Sequence, residues 1–180
     1  MQDEIKKLIE SQTLCEICND YDDPNSFDVG YFLACDDEYY IVWYVNPYGF
    51  YNGMGCVPID CLYRIQTDTA YLREIQLLMD RNDVSLNVKR DYGENVLIGF
   101  LKHIKSDKNI CGIEVLENEH EDMFGRIDEV DEDNKLVKLS LVDVHGQNDG
   151  KAVVNVDTIS EVYYQTRYTT KIEILNDIRK

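Results

Sequence analysis

Apolar and polar residues alternate with a period of two over much of the chain, which is the pattern of half-buried β-strands. The first half predicts five short strands, over residues 13–18, 27–35, 39–45, 56–59 and 62–65. Two amphipathic stretches with a helical period, 3–11 and 69–79, lie before and after these strands. Gly30 is where the second strand is expected to bend, since glycine tolerates bulges. The pattern predicts a small, strongly curved barrel with flanking helices.

The same pattern occurs again in the second half of the chain. Gly30 and Asp36 recur as Gly125 and Asp131, 95 residues later, and subsequent positions recur with an offset of 97. A gain of two residues preserves which side chains face the core, whereas a gain of one would invert them. The positions with the larger offset are Gly49, Gly53, Val57, Ile59, Asp60, Leu62 and Ile65, which match Gly146, Gly150, Val154, Val156, Asp157, Ile159 and Val162. We therefore expect an internal duplication.

The chain length of 180 residues allows one ordinary domain or two small ones. The duplication favours two, with a first repeat over 1–82 and a second over 94–180. The segment 83–93 matches nothing in the first repeat and is predicted to be a linker. The second repeat also starts with a predicted helix, about 94–105, so each repeat is expected to have a leading and a closing helix.

Each repeat has a glycine followed by apolar residues at plus two and plus five and by an aspartate at plus six. In the first repeat these residues are Gly30, Phe32, Cys35 and Asp36. This spacing resembles the first signature of the Sm and Sm-like (LSm) family, in which a leading helix precedes five strands. The segments 57–65 and 154–162 are similar to the last two strands of that family.

The resemblance implies a mainly β protein with flanking helices (α+β), built from two tandem five-stranded Sm-like, or Src-homology-three-like, barrels. The chain is also similar to uncharacterised two-repeat proteins of Firmicutes and their phages, which implies a bacterial or phage source. Tyr40 and Lys135 replace the family's RNA-contacting asparagine, and its Arg-Gly pair is absent from both repeats. The resemblance therefore implies the fold and not the RNA-binding activity.

Acidic residues dominate the chain, whose formal net charge at pH 7 is −17. Between Lys7 and Arg64 there is no lysine or arginine, while ten aspartates and glutamates fall in that interval. A nucleic-acid surface needs such cations to neutralise phosphates, so we do not expect the first repeat to bind nucleic acid directly. A basic protein partner would suit the charge, but solubility alone explains it more simply.

The sequence gives no sign of membrane insertion or export. No apolar run approaches the roughly 18 residues that a membrane span needs, and the first twelve residues lack a signal-peptide core. Six cysteines without an export signal are expected to be reduced thiols, as in a cytosol. These features predict a cytoplasmic protein.

Cys15 and Cys18 have the CxxC spacing that serves zinc and redox sites. There is no second CxxC pair, and the strand pattern places the two thiols on opposite faces. The second repeat keeps Cys111 but has Glu114 at the position of the second cysteine. We therefore expect no metal or redox site here.

Other polar residues also fail to form a recognisable catalytic pattern. The histidines are His103, His120 and His145, and none has partners at the spacing of a hydrolase or metal site; the acidic loop around His120 would at most attract a cation. Asp60 and Asp157 precede short strands, where the carboxylates are expected to bond local backbone N–H groups of a turn. No phosphate-binding glycine loop is present. The sequence predicts no enzyme and no cofactor.

Aromatic residues distinguish the two repeats. Nine lie between Tyr31 and Tyr51, whereas the matched segment 126–148 has none. So small a barrel cannot bury nine rings, and exposed tyrosine and tryptophan are common anchors of binding surfaces. The predicted partner-binding residues are Tyr40, Trp43, Tyr44, Tyr48, Phe50 and Tyr51. The same rings would equally suit the interface between the two barrels.

The predicted function is non-enzymatic binding of a protein partner by the aromatic and acidic surface of the first barrel, in the manner of an immunity, anti-defence or inhibitor protein. The alternative is a nucleotide- or RNA-binding protein that uses the groove between the barrels. Its positive charge would come from Lys89, Arg90, Lys102 and Lys105.

Overall fold

The computed structural model describes residues 1–86, 88, 91–116 and 123–179. Over these residues the protein is mainly β, with ten antiparallel strands and four α-helices, and it belongs to the α+β class. The chain divides into two compact units, Met1–Asp91 and Tyr92–Lys180, and this division falls inside the segment 83–93. None of the helices in the described ranges is long and apolar enough to cross a membrane.

The first unit has one helix before its five strands and one after them. Its elements are α1 (Gln2–Ser11), β1 (Cys15–Cys18), β2 (Asp28–Cys35), β3 (Tyr39–Val45), β4 (Tyr51–Pro58), a 3-10 turn (Ile59–Cys61), β5 (Arg64–Gln66) and α2 (Ala70–Arg81). The strand order is β5-β1-β2-β3-β4, and each neighbouring pair is antiparallel. The short β5 reaches β1 because the chain crosses over after β4 through the 3-10 turn.

The second unit has the same order of elements and of strands. Its elements are α3 (Val96–Asp107), β6 (Cys111–Val115), β7 (Met123–Asp131), β8 (Leu136–Val142), β9 (Asn148–Asn155), a 3-10 turn (Val156–Thr158), β10 (Ile159–Tyr164) and α4 (Arg167–Ile178). The order within this unit is β10-β6-β7-β8-β9. The acidic loop around His120 lies outside the described residues.

The fourth strand is longer than the sequence predicts. The segment before Cys56 reads as a glycine-rich loop, yet β4 starts at Tyr51 and pairs with β3 along its length, from Val45 opposite Tyr51 to Tyr39 opposite Pro58. Gly55 lies within this strand and not in a loop. A Cβ added at Gly55 would lie 2.8 Å from the Tyr44 ring, so the ring occupies the space above the glycine. Glycine in a strand therefore marks a close approach here.

Gly30 does not itself carry the irregularity of β2. The register between β2 and β3 shifts between Phe32 and Ala34, and the β7–β8 register shifts between Ile127 and Glu129. At Gly30 an added Cβ would lie 2.5 Å from the Trp43 carbonyl oxygen. The glycine is thus required for close approach of the backbones, and the register shift begins two residues later.

The core of the first unit lies between α1 and one face of its strands. Ile5 and Leu8 of α1 pack into it, while Lys7 on the same helix is exposed and pairs with Glu4. Burying each such apolar side chain contributes about 1.5–3 kcal/mol. The other buried members are Cys15, Ile17, Phe32, Tyr40, Val42, Val57 and Leu62.

Each closing helix packs against a glycine in the hairpin between the third and fourth strands of its unit. Gly49 and Gly146 have φ of +75° and +79°. An added Cβ would lie 2.6 Å from the Met79 backbone nitrogen of α2 in the first case and 2.5 Å from that of Asn176 of α4 in the second. Only glycine combines this conformation with so close a helix.

Gly146→Ala is expected to lower the free energy of unfolding by at least about 3 kcal/mol, since it adds backbone strain and a collision with α4. Gly150→Ala is the matched control: Gly150 also has a positive φ, of +88°, but its added Cβ meets nothing within 4 Å, so only about 1 kcal/mol should be lost. Urea unfolding of both variants measures the difference. Equal losses would show that contact with the helix does not constrain this position.

Candidate binding surface of the first unit

Tyr40, the first of the predicted partner-binding residues, lies in the core. Its side chain is 0% exposed and its ring meets that of Phe32 edge to face, with centroids 5.5 Å apart. The strand alternation places Tyr40 on the face that α1 covers, together with Val42. A ring with no accessible surface cannot contact a partner, so Tyr40 is corrected to a core residue.

Trp43 lies on the opposite face of the sheet within a row of three rings. Its ring centroid is 5.9 Å from that of Tyr31 and 4.9 Å from that of Tyr51, against which it stacks. The Tyr31 hydroxyl donates to Gln76 Oε1 of α2 at 3.2 Å, so α2 lies on this face. Trp43 is only 6% exposed, and it supports the surface rather than forming it.

Tyr44 and Tyr51 are partly exposed. The Tyr44 ring lies over Gly55 and borders the α1 side of the core, whereas Tyr51 terminates the row of rings next to Trp43. Both residues flank the hairpin that joins β3 to β4. The structure thus distributes the predicted residues over both faces of the sheet, and it does not gather them into one surface.

Tyr48 and Phe50 are the exposed members of the predicted set. Tyr48 is 67% exposed and Phe50 is 47% exposed. Both lie in the hairpin between β3 and β4, residues 46–50, which we call the aromatic tip. The two rings are the part of the predicted site that faces solvent.

The aromatic tip is held by hydrogen bonds from Asn46, which is itself buried. The Tyr48 and Phe50 N–H groups donate to Asn46 Oδ1 at 2.8 and 3.2 Å, and the Gly49 N–H donates to the Asn46 carbonyl oxygen at 2.9 Å. Asn82, at the end of α2, donates from Nδ2 to the Tyr48 carbonyl oxygen at 2.8 Å. The two exposed rings are therefore attached to a backbone that is already ordered.

A second exposed aromatic group, which the sequence did not reveal, is formed by Tyr21 and Tyr63. Their ring centroids are 5.0 Å apart with an interplanar angle of 38°, and Tyr21 is 64% exposed. The Tyr21 hydroxyl donates to the Asp60 carbonyl oxygen at 3.3 Å, and the Tyr63 hydroxyl donates to that of Asp20 at 3.2 Å. We call these two residues the tyrosine pair.

Pairing of β1 with β5 brings the tyrosine pair together. Cys18 lies opposite Arg64, so the residue before Arg64 meets the loop that follows Cys18. Desolvation is the chief cause of the raised pKa of Tyr63; Cys18, Asp20 and Asp23 also raise this pKa, and the Arg64 guanidinium opposes them. The residues are 42 positions apart, and only their places beside the two paired strands could have indicated the contact.

Arg64 lies beside the acidic loop, and its guanidinium contacts the end of β1 and the loop. Nε donates to Cys18 Sγ at 3.1 Å and Nη2 donates to the Pro24 carbonyl oxygen at 3.5 Å. Within the loop, the Asp20 carboxylate accepts the N–H groups of Asp22 and Asp23 at 2.9 and 3.1 Å. Arg64 and Asp20 thus order the loop.

The two thiols of the CxxC segment lie on opposite faces of β1, as predicted. Cys15 packs in the α1-side core, whereas Cys18 accepts the hydrogen bond from Arg64. Burial raises the pKa of the Cys15 thiol to about 12, and burial also raises that of Cys111 to about 12. Among the described residues no group of three or more histidine, cysteine, aspartate or glutamate side chains could hold a metal ion.

The two described histidines belong to the second unit. His103 of α3 is packed among aromatic rings that include Tyr92 and Tyr164, with Nε2 3.8 Å from Asp107 Oδ2. His145 lies in the hairpin between β8 and β9. His120 lies outside the described residues.

Asp60 and Asp157 both lie in 3-10 turns, but their carboxylates do not make the predicted bonds to local backbone. The Asp157 carboxylate accepts from Lys135 Nζ at 3.0 and 3.1 Å. The Asp60 carboxylate lies 3.9 Å from Cys61 Sγ. In the Asp157 turn it is the Asn155 side chain that accepts the backbone N–H of Asp157, at 3.0 Å.

The cations of the alternative, nucleic-acid-binding function are only partly described. Lys89 and Arg90 lie outside the described residues. Lys102 forms an ion pair with Glu132 at 2.7 Å, which reduces its availability to a phosphate. Lys105 lies in the last turn of α3.

A cavity of about 580 Å³ opens in the first unit where α1 ends beside β2. Its lining is Ile9, Glu10, Gln12, Phe32, Leu33, Leu86, Val88 and Asp91. None of the predicted partner-binding residues lines it. The cavity and the aromatic tip are therefore separate features of this unit.

Comparison with protein-family models, with curated proteins and with solved structures finds no match to the chain.

Cys15 and Cys111 are expected to resist alkylation in the folded protein. With a pKa of about 12, on the order of one thiol in ten thousand is ionised at pH 8, and the thiolate is the reactive form. Iodoacetamide labelling read by peptide mass spectrometry, with and without guanidinium, tests this expectation. The partly exposed Cys61 is the internal control. If Cys15 were labelled as fast as Cys61 in the folded state, the description of Cys15 as a buried and unreactive thiol would be wrong.

Proposed function

We propose that this protein is a non-enzymatic binding protein whose first unit engages a protein partner through the aromatic tip. The observation that carries the proposal is that Tyr48 and Phe50 are exposed on a hairpin whose backbone is held by Asn46 and Asn82. Aromatic rings bury a large area at low entropic cost, and an ordered loop avoids the cost of ordering on binding.

The charge of the first unit supports a protein partner with basic character. The interval between Lys7 and Arg64 contains ten acidic residues and no cation, and the guanidinium of Arg64 donates to Cys18 Sγ and to the Pro24 carbonyl oxygen. Complementary charge accelerates association and excludes acidic partners such as nucleic acid. Within this proposal the protein acts as an immunity, anti-defence or inhibitor protein in the cytoplasm.

We propose further that the two units are tandem Sm-like barrels that arose by internal duplication. The same order of helices and strands in each unit supports this proposal. The equivalent hairpin glycines, Gly49 and Gly146, also support it, since both have a positive φ beneath a closing helix. The aromatic tip would then be an addition to one copy of a shared framework, because the matched hairpin of the second unit has no aromatic residue.

Replacing Tyr48 and Phe50 by serine is expected to abolish partner capture while the fold persists. Central aromatic anchors typically contribute roughly 2 kcal/mol each, so losing even one weakens binding about thirtyfold. The measurement is photo-crosslinking in the native host, with a benzophenone amino acid at position 52 and the crosslinked protein identified by mass spectrometry. Thermal unfolding followed by circular dichroism verifies the fold.

The matched control changes the equivalent positions of the second hairpin, His145→Ser with Gln147→Ser. These residues lie in the same turn of the second unit, so any effect of loosening such a turn would appear in both variants. Loss of the crosslinked partner only in the first variant supports the proposal. Equal capture by the tip variant and the original protein would contradict it.

A further inference from the structure

The acidic loop and the aromatic tip of the first unit each follow a strand, and the two strands run in the same direction. β1 and β3 are both antiparallel to β2, which lies between them, so they run parallel to each other. The acidic loop 19–27 follows β1, and the aromatic tip follows β3. Tyr21, however, bonds to Asp60 in the 3-10 turn that follows β4, whereas the tip precedes β4, so a partner that contacts both the tip and Tyr21 must extend along that strand, roughly 23 Å.

The tyrosine pair offers this partner a second, ordered contact. Both hydroxyls donate hydrogen bonds to backbone carbonyls, Tyr21 to Asp60 and Tyr63 to Asp20. These bonds fix the two rings relative to the loop, yet Tyr21 remains 64% exposed. An exposed ring that is held at its hydroxyl end presents its face without further ordering.

The surroundings of the tyrosine pair carry negative charge. The backbone carbonyls of Asp20 and Asp60 accept the two hydroxyls, and Asp22 and Asp23 follow Tyr21 directly in the chain. Arg64, which follows Tyr63, opposes this negative charge, but its guanidinium already donates to Cys18 and to the Pro24 carbonyl oxygen. The face of an aromatic ring is itself negative, so a cation is attracted both by the ring and by the carboxylates. A phosphate or carboxylate would be repelled by the same groups.

We infer that the tyrosine pair, with the surrounding carboxylates, binds a lysine or arginine side chain of the protein that the aromatic tip contacts. This inference rests on the proposed function, which it extends by naming the chemistry of the partner. Arginine suits the site particularly well, since its planar guanidinium stacks on a ring and also donates to a carboxylate.

A titration of the full ¹⁵N-labelled chain with Nα-acetyl-arginine amide tests the site without the natural partner. Saturable shifts of the backbone signals of residues 20–23 and 63 are expected, and added salt should weaken them. The neutral analogue Nα-acetyl-citrulline amide has the same length and nearly the same shape, and it should produce no such shifts. Equal shifts with the neutral analogue would overturn the inference.

Variants separate the ring from the general acidity of the protein. Tyr21→Leu should weaken binding of the arginine amide roughly two- to fivefold, as expected for loss of an exposed cation–π contact. Tyr21→Phe keeps the ring but loses the hydroxyl bond to Asp60, so its affinity should lie between those of the original and of Tyr21→Leu. Tyr168→Leu is the matched control, since Tyr168 of α4 is also exposed, at 45%. Binding that is unchanged in Tyr21→Leu, or equally weakened in Tyr168→Leu, would overturn the inference.

Two charge-removing variants test the site without changing Tyr21, in case Tyr21→Leu disorders the loop. Asp22→Asn should weaken binding, and Asp149→Asn, which removes the same charge from β9 of the second unit, should not; equal effects would count against the site. Failure of the two proposals can be distinguished. Loss of arginine-amide binding with retained crosslinking at the tip would refute this site alone, whereas the reverse result would refute the tip.

Discussion

Contact between a helix and a glycine turn holds each unit in its observed form. Gly49 lies under α2 and Gly146 lies under α4, each in a backbone conformation that disfavours other residues and at a distance that leaves no room for a Cβ. The glycine lets the helix approach the hairpin closely, and in the first unit the same helix also contacts Tyr31 of β2. In the first unit Gly49 lies within the aromatic tip, so the position of the exposed Tyr48 and Phe50 rings depends on this contact with α2.

The two units make the helix contact with different chemistry. In the first, the Tyr31 hydroxyl donates to Gln76 and lies 4.0 Å from Met79 Sδ. In the second, the residue equivalent to Tyr31 is Arg126, which donates to Asn176 Oδ1 at 2.8 Å and lies 3.5 Å from a Glu173 oxygen. The elements in contact are the same, while the polarity of the contact differs. The same arrangement of helix and strand thus forms with either a tyrosine or an arginine in the contact. It likewise forms with an aromatic hairpin in the first unit and a polar hairpin in the second.

Alternation and helical period predicted the elements of both units closely, because each strand has one face towards an apolar layer. The same reasoning failed to say which rings are exposed. It treats one face of β3 as solvated, whereas α1 covers the face of Tyr40 and α2 lies on the face of Trp43. Of the six predicted rings, only those of Tyr48 and Phe50, in the hairpin, are largely exposed to solvent. The contact between Tyr21 and Tyr63 could not be predicted for another reason. It depends on the pairing of β1 with β5, which no local sequence pattern indicates.

The row of rings on the α2 side of the first unit makes the protein its own optical reporter. Trp43 is the single tryptophan of the chain, and it is 6% exposed and stacked against Tyr51. Its fluorescence emission therefore comes from the first unit alone and shifts to longer wavelength when water reaches that ring. The opening of the first unit can thus be followed optically in the intact chain, with no label and no division of the protein.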